Sequence, residues 1–279
     1  MEQAVGRGHH SIGRRSVNFG VQALGIALAI GVWQLLSLYK GNFVLPGPIA
    51  TFRHLRENLL HSSYLASHGL SSGVGYLSHL EYTVRNVLIG VGIGAAIGVG
   101  MGLLSMRLPI ISEIATPLAA TFGAAPIFVA APFFLIWFGI LPTAQVMIVT
   151  FYTSILMYVF SRRAGENLAS QYVESALTLG GRPWSIFRWI YVPGTVPEIR
   201  GGFRIALAGS WGLAAIAELL GSQKGIGFLI KFYATAFVID GMLALTVLLG
   251  IAAIVFDRLA LLAFAYLARW AESGGRSGL

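Results

Sequence analysis

Glu218, Asp257 and Arg258 are the only ionisable residues that approach the interior of long apolar stretches in this chain. A charge at the centre of a membrane span costs about 2.5–3.5 kcal/mol on insertion scales, so such residues usually carry function. Glu218 lies near the outer end of the fifth apolar stretch, where it either lines a path or pins the Gln223-Lys224-Gly225 loop. Asp257 and Arg258 mark the cytoplasmic edge of the sixth. A run of buried acids suited to proton or sodium coupling is missing. The 279 residues include no cysteine, which excludes thiolate metal sites, cysteine nucleophiles and disulfide scaffolds. His9, His10, His54, His61, His68 and His79 fall outside the apolar stretches without metal-ligand spacing. Neither Gly-Lys-Ser nor Gly-Lys-Thr occurs, so the phosphate-cradling loop of nucleotide-binding proteins is absent, and no Ser-His-Asp or paired-carboxylate arrangement suggests hydrolysis. The chain reads as a non-enzyme that binds no cofactor or metal of its own.

What the sequence offers instead is a mechanical segment. Between Glu174 and Pro193 runs ESALTLGGRPWSIFRWIYVP, polar and basic inside an otherwise apolar chain. Ahead of it, Leu168, Tyr172, Ala176 and Leu179 share one face over 166–179, which predicts an amphipathic helix. Gly180-Gly181 supplies a left-handed cap, and Pro183 suits the first residue of a second short helix that Pro193 ends. Trp184, Phe187 and Trp189 give the segment aromatic anchors for a cleft in a partner.

The elements that position this segment are apolar. Hydrophobic residues make up 56% of the chain and charged residues only 11%, against about 25% charged in a soluble domain. Six stretches are long enough to cross hydrocarbon, which takes roughly 20 residues each. They fall at about 18–38, 83–106, 115–139, 143–160, 202–220 and 238–262. The fold class is therefore all-α integral membrane with six transmembrane helices. Between the first two spans, Ile49, Phe52, Leu55 and Leu59 recur at helical spacing opposite Arg53, Arg56 and Glu57, an interfacial helix, and 61–78 reads as a loop. Of the 19 lysines and arginines, thirteen fall on the side of the termini and six on the other, so the termini and the polar segment are expected in the cytoplasm. The net charge of +8 then reflects topology and lipid headgroups rather than nucleic acid. In the second span Gly90, Gly94, Gly98 and Gly102 recur every four residues, a groove for close approach of another backbone, internal or from a second subunit. Gly201, Gly202, Ala206, Gly209 and Gly212 suggest the same in the fifth.

The polar segment resembles the EAA loop of binding-protein-dependent ABC importer permeases, whose pattern is E-A-A, three residues, G, nine residues, I-x-L-P. Glu174, Ala176, Gly180, Ile190 and Pro193 match it, and Ser175 and Val192 replace an alanine and the leucine. LPGPIATF, TVRNVLIGVGIGAAIGVGMGLL, APFFLIWFG and GLAAIAELLGSQKGIGFLI, in that order, resemble the nitrate, sulfonate and taurine branch over roughly residues 20–270. The stretch around 71–76 is longer and richer in serine and glycine than that branch suggests. The resemblance implies a type I (MetI-like) permease with a cytoplasmic tail at 1–17, a six-helix domain at 18–268 holding the coupling loop at about 161–200, and a tail at 269–279. It further implies a plasma-membrane location and ATPase coupling through Glu174, Ser175, Ala176, Gly180, Arg182, Pro183, Trp184, Ile190 and Pro193. Glu218, Trp137 and Trp211 are the residues expected along the translocation path. The implied partners are two ABC ATPase subunits holding ATP and magnesium, a second permease copy and an external solute-binding protein, within membrane lipid and without nucleic acid. The implied cargo is a small solute such as a sulfonate or nitrate-like anion. The alternative is an ion-coupled carrier or channel with no ATPase.

Overall fold

The computed structural model describes residues 9–70, 74–168 and 170–267; the tails expected at 1–17 and 269–279 lie wholly or partly outside them, as do three residues of the serine-glycine stretch around 71–76. The described residues are helical almost throughout. Five helices are long and apolar enough to cross a membrane, or six if one bent pair is a single span. The first, α1 (His9–Lys40), touches the short α2 (Pro48–Asn58), and its Trp33 indole N–H donates to the Pro46 carbonyl just ahead of α2 at 3.0 Å. Helix α2 turns differently from its periodicity: Thr51, Leu55 and Asn58 are buried, while Ile49 and Phe52 face outward. The stretch 61–78 is not simply a loop, because it contains α3 (Ser63–Ser67), capped by the Ser62 hydroxyl, and the start of α4 (Tyr76–Ser105). His79 therefore sits buried within a span-length helix rather than outside one.

The centre of the bundle is the pairing of α4 with α7 (Pro142–Glu166). An added Cβ on Gly90 would lie 2.7 Å from Val149, on Gly94 2.6 Å from the Thr150 carbonyl, on Gly98 2.4 Å from the Ser154 carbonyl and on Gly102 2.6 Å from Ser161. The glycine row thus meets one helix of the same chain, with residue numbers rising together, so α4 and α7 run parallel. Two parallel helices require the chain between them to return across the bundle. That return is made by α5 (Pro109–Ala124) and α6 (Ile127–Phe138), bent by 104° at their junction. The single straight third span expected from composition is therefore broken. Ala125 before Pro126 is held extended at φ −72°, ψ 138°, because the proline ring disfavours helical backbone in the preceding residue.

The polar segment leads without interruption into α10 (Val192–Gly221). Pro193 does not end a helix here. Residues Phe187–Tyr191 form a π turn in which the Val192 N–H reaches the Phe187 carbonyl, and this local widening accommodates a proline that has no N–H to give. Helix α10 then packs on α4, α6 and α7, and α11 (Ile226–Thr235) and α12 (Ile239–Leu267) complete the fold. Val87, Val91, Ile148, Val149, Leu207, Trp211 and Leu213 lie at the heart of the packed interior. In α10 only part of the small-residue set meets a close neighbour: Gly202 faces Phe160 and Gly209 faces Tyr152, while Gly201 and Gly212 have open space.

Gly98→Ala should lower stability by about 1–3 kcal/mol, because the backbone carbonyl it meets cannot swing aside. Gly100→Ala, with nothing within 4 Å, should leave stability unchanged. Thermal unfolding of the two variants in detergent checks the pair.

Candidate functional site

The polar segment expected to receive the ATPases is a helix, a glycine turn and a second helix at the end of the bundle where α4 and α7 finish. Its first part is α8 (Ser170–Thr178), and Glu166 belongs to α7 instead. Gly180 adopts φ +78°, the Gly181 N–H donates to the Ala176 carbonyl at 2.8 Å and the Gly180 N–H to the Leu177 carbonyl at 2.9 Å. This is a Schellman-type stop, and it needs the left-handed backbone that glycine adopts without penalty. Pro183 opens α9 (Pro183–Ile186), which the π turn continues.

Little of this segment is covered by its own chain. Leu179 is 88% exposed, Trp189 72% and Trp184 57%; Tyr172, Glu174, Ser175 and Arg182 are exposed as well. Ile190 and Pro193 are half-buried around a cleft of about 430 Å³ shared with Leu168, Tyr172 and Trp189. Exposed aromatic and aliphatic side chains on a rigid helical pair are what a partner cleft can bury. The segment is nonetheless fastened to the spans. The Arg107 guanidinium lies 5.1 Å over the Trp184 ring, Trp184 stacks on Phe187 at 5.7 Å, and the Asn167 amide donates to Glu198 at 3.1 Å. Ile186 is buried beneath it. Arg107 and Asn167 lie outside the motif, and only their positions at the ends of spans would have drawn attention to them.

Glu218 is fully buried at the opposite end of the bundle. Its Oε2 accepts from the Thr83 hydroxyl at 3.0 Å and from the Gly227 N–H at 2.9 Å, and the Thr83 oxygen accepts from the Ile226 N–H at 3.0 Å. The Gly225 N–H donates to His79 Nδ1 at 3.2 Å, and Gly225 holds φ +106° directly against the carboxylate. Glu218 therefore clamps the turn between α10 and α11 to α4. Trp211, 3% exposed, is enclosed in the core, and Trp137 stands exposed at the end of α6. The structure does not gather these three around one cavity within a single chain.

Asp257 has a partner within the fifth apolar stretch. Arg204 on α10 donates to both carboxylate oxygens of Asp257 on α12, at 2.7 and 2.8 Å. A two-pronged guanidinium contact of this kind compensates two charges at once. A second cluster joins the outer helices: Asp240 lies 3.0 Å from His54 Nδ1, His54 Nε2 is 2.9 Å from the Tyr76 hydroxyl, and Tyr76 donates to the Tyr233 hydroxyl at 2.7 Å. Sequence spacing gives no hint of it. Among the described residues no group of three or more potential metal ligands occurs.

Glu218→Ala would strand the Gly227 N–H in a buried place, at a cost of about 1–3 kcal/mol, while the Thr83 hydroxyl keeps the His79 carbonyl as acceptor. The expected outcome is a lower unfolding temperature in detergent, with Glu218→Gln milder because its amide carbonyl still accepts.

Comparison with known proteins agrees with this geometry. Residues 90–272 match the family model of the binding-protein-dependent transport system inner membrane component. The chain is 26% identical over 259 residues to the "Probable ABC transporter permease protein" of Brucella abortus (strain 2308), covering 92% of this chain and 98% of that one. It is 30% identical over 168 residues, 58% of each chain, to the taurine transport system permease protein TauC of Escherichia coli (strain K12). Among solved structures, a bacterial ABC transporter involved in the import of the acidic polysaccharide alginate superposes with a TM-score of 0.55 at 15% identity, over 91% of this chain and 97% of that one. Matched over most of its length by this family model, the chain belongs to the binding-protein-dependent transport system inner membrane components, the ABC transporter permeases, and has the MetI-type fold.

Proposed function

We propose that this permease forms, with a second copy of itself, the path by which a small organic anion of the sulfonate class crosses the plasma membrane. Two separate ATPase subunits, carrying ATP and magnesium, dock on the segment from Glu174 to Pro193, and an external binding protein delivers the solute. The termini and the coupling segment face the cytoplasm, on the side richer in arginine. ATP draws the ATPases together, the coupling helices follow, and the packed spans rock between two arrangements.

The observation that carries this reading is the uncovered aromatic face of the coupling segment, rigidly continuous with α10. Glu174, Ser175 and Arg182 border that face, and Gly180 fixes the angle between its two helices. The sulfonate class rests on the likeness to a taurine permease and on basic side chains at the outer end. Among the described residues the intramembrane charges are an ion pair and a clamped carboxylate, an arrangement that supplies no relay for ion-coupled transport.

Trp184→Ala together with Trp189→Ala should abolish co-purification of an ATPase subunit in mild detergent while leaving the chain folded. Gly180→Trp, forced to φ +78°, should reduce ATP-dependent uptake by at least about tenfold, given the strain of a bulky residue there. Uptake by this chain alone in ATP-free liposomes would overturn the reading.

A further inference from the structure

At the end of the bundle opposite the coupling segment, a cleft of about 480 Å³ opens between the first turns of α4, the turn joining α6 to α7 and the turn joining α10 to α11. Its α4 wall carries Ser78, Glu81, Tyr82 and Arg85, which recur at helical spacing and so present one face. Its facing wall carries Ser222, Gln223 and Lys224. Arg85 and Lys224 stand 139 positions apart in sequence and meet only here. Ile140 and Pro142 close the apolar side.

Both cations are held by built backbone rather than by floppy loops. The Lys224 turn is fixed by the Ser222 side chain, which donates to the Lys224 carbonyl at 2.6 Å and accepts from the Lys224 N–H at 3.1 Å. One residue later the Gly225 N–H is tied to His79 of α4, and Glu218 clamps the same turn from below. Arg85 lies 5.8 Å over the Tyr82 ring, which orients its guanidinium. Neither Arg85 nor Lys224 has a carboxylate within salt-bridge distance among the described residues, and Glu81 is the single acid in the cleft. Two cations facing one carboxylate leave the cleft net positive. Its donors are a planar fork, a point charge and the Gln223 amide, a set that matches the several oxygens of one small anion.

We propose that this cleft is a receiving subsite for a small oxyanion of the sulfonate or carboxylate class, with Arg85 and Lys224 binding the anion and Glu81 disfavouring a second charge. The subsite deepens the transport reading and rests on it, since it assigns part of the selectivity to this chain rather than to a binding protein. Its position at the outer end places it where an arriving solute first meets the permease.

Saturation-transfer NMR with methanesulfonate as probe, on the full chain in phosphatidylcholine nanodiscs, tests the subsite. The wild type should transfer saturation to the probe's methyl group, and sulfate but not chloride at equal ionic strength should displace it. Arg85→Gln with Lys224→Gln should weaken the signal about tenfold, the scale of losing charge-assisted contacts. Lys231→Gln, an exposed cation on α11 outside the cleft, should leave it unchanged. Arg85→Lys should restore part of it and, with unaltered thermal unfolding, show that the loss is not misfolding. Absence of signal in the wild type, an unchanged signal in the double variant, or an equal loss in Lys231→Gln would overturn the proposal. So would loss of signal when phosphatidylglycerol is added to the discs, since a lipid headgroup would then be the occupant. Co-purification of the ATPase from the same variants reports on the transport reading independently of the cleft.

Discussion

The close approach of α4 and α7 along the glycine row is the constraint on which the rest of the bundle depends. Lipid tails are as apolar as leucine, so helices in a bilayer gain little from merely burying aliphatic surface against one another. What they gain comes from tight van der Waals contact and from polar groups that find partners across the interface. Four glycines one turn apart let the α4 backbone touch the Thr150 and Ser154 carbonyls, and side chains cluster around that seam. Asn86 donates to Gln145 at 2.6 Å, and Thr150 donates to the Gly90 carbonyl at 3.3 Å. Replacing any of these glycines would separate the two helices and, with them, everything hung on their ends.

Because α4 and α7 are parallel, both their beginnings lie at one end of the bundle and both their ends at the other. The end where α4 and α7 begin collects the Glu218 clamp, the Asp240–His54–Tyr76–Tyr233 cluster and the basic cleft. The end where they finish collects the exposed polar segment, held by Arg107 on Trp184, with Asn167 on Glu198 beside it. Many of the paired polar groups thus lie near the two ends, and between them Asn86–Gln145 and Thr150–Gly90 pair across the seam, while the buried Trp211 indole N–H has no partner among the described residues.

Much of this was legible in the sequence. Apolar length located most of the spans, and the offsets from Glu174 to Pro193 located a helix–turn–helix down to the left-handed turn at Gly180. Other features were not legible because they depend on a neighbour the sequence does not name. The glycine row announced a close approach without saying to what. Nothing in the spacing pairs Arg204 with Asp257, fifty-three residues away, whose carboxylate it grips. Pro117, Pro126 and Pro132 all lie in the third apolar stretch, yet only Pro126 breaks the helix, and hydropathy cannot tell them apart. The face of α2 is only partly as its periodicity suggests: Leu55 joins a core cluster with Leu59 beside it and Thr51 and Asn58 are buried, while Ile49 and Phe52 stand exposed.

The π turn at Phe187–Tyr191 has a mechanical meaning. Had Pro193 ended a helix, a flexible joint would separate the docking surface from the membrane, and a push would be absorbed in the joint. Instead the chain stays helical from Pro183 to Gly221, with α10 itself about 45 Å long at 1.5 Å per residue. A tilt applied at one tip is carried as a rigid rod to the other, where Glu218 grips the turn bearing Lys224. The two ends of the bundle are then geared together through one shaft, so neither tilts without the other.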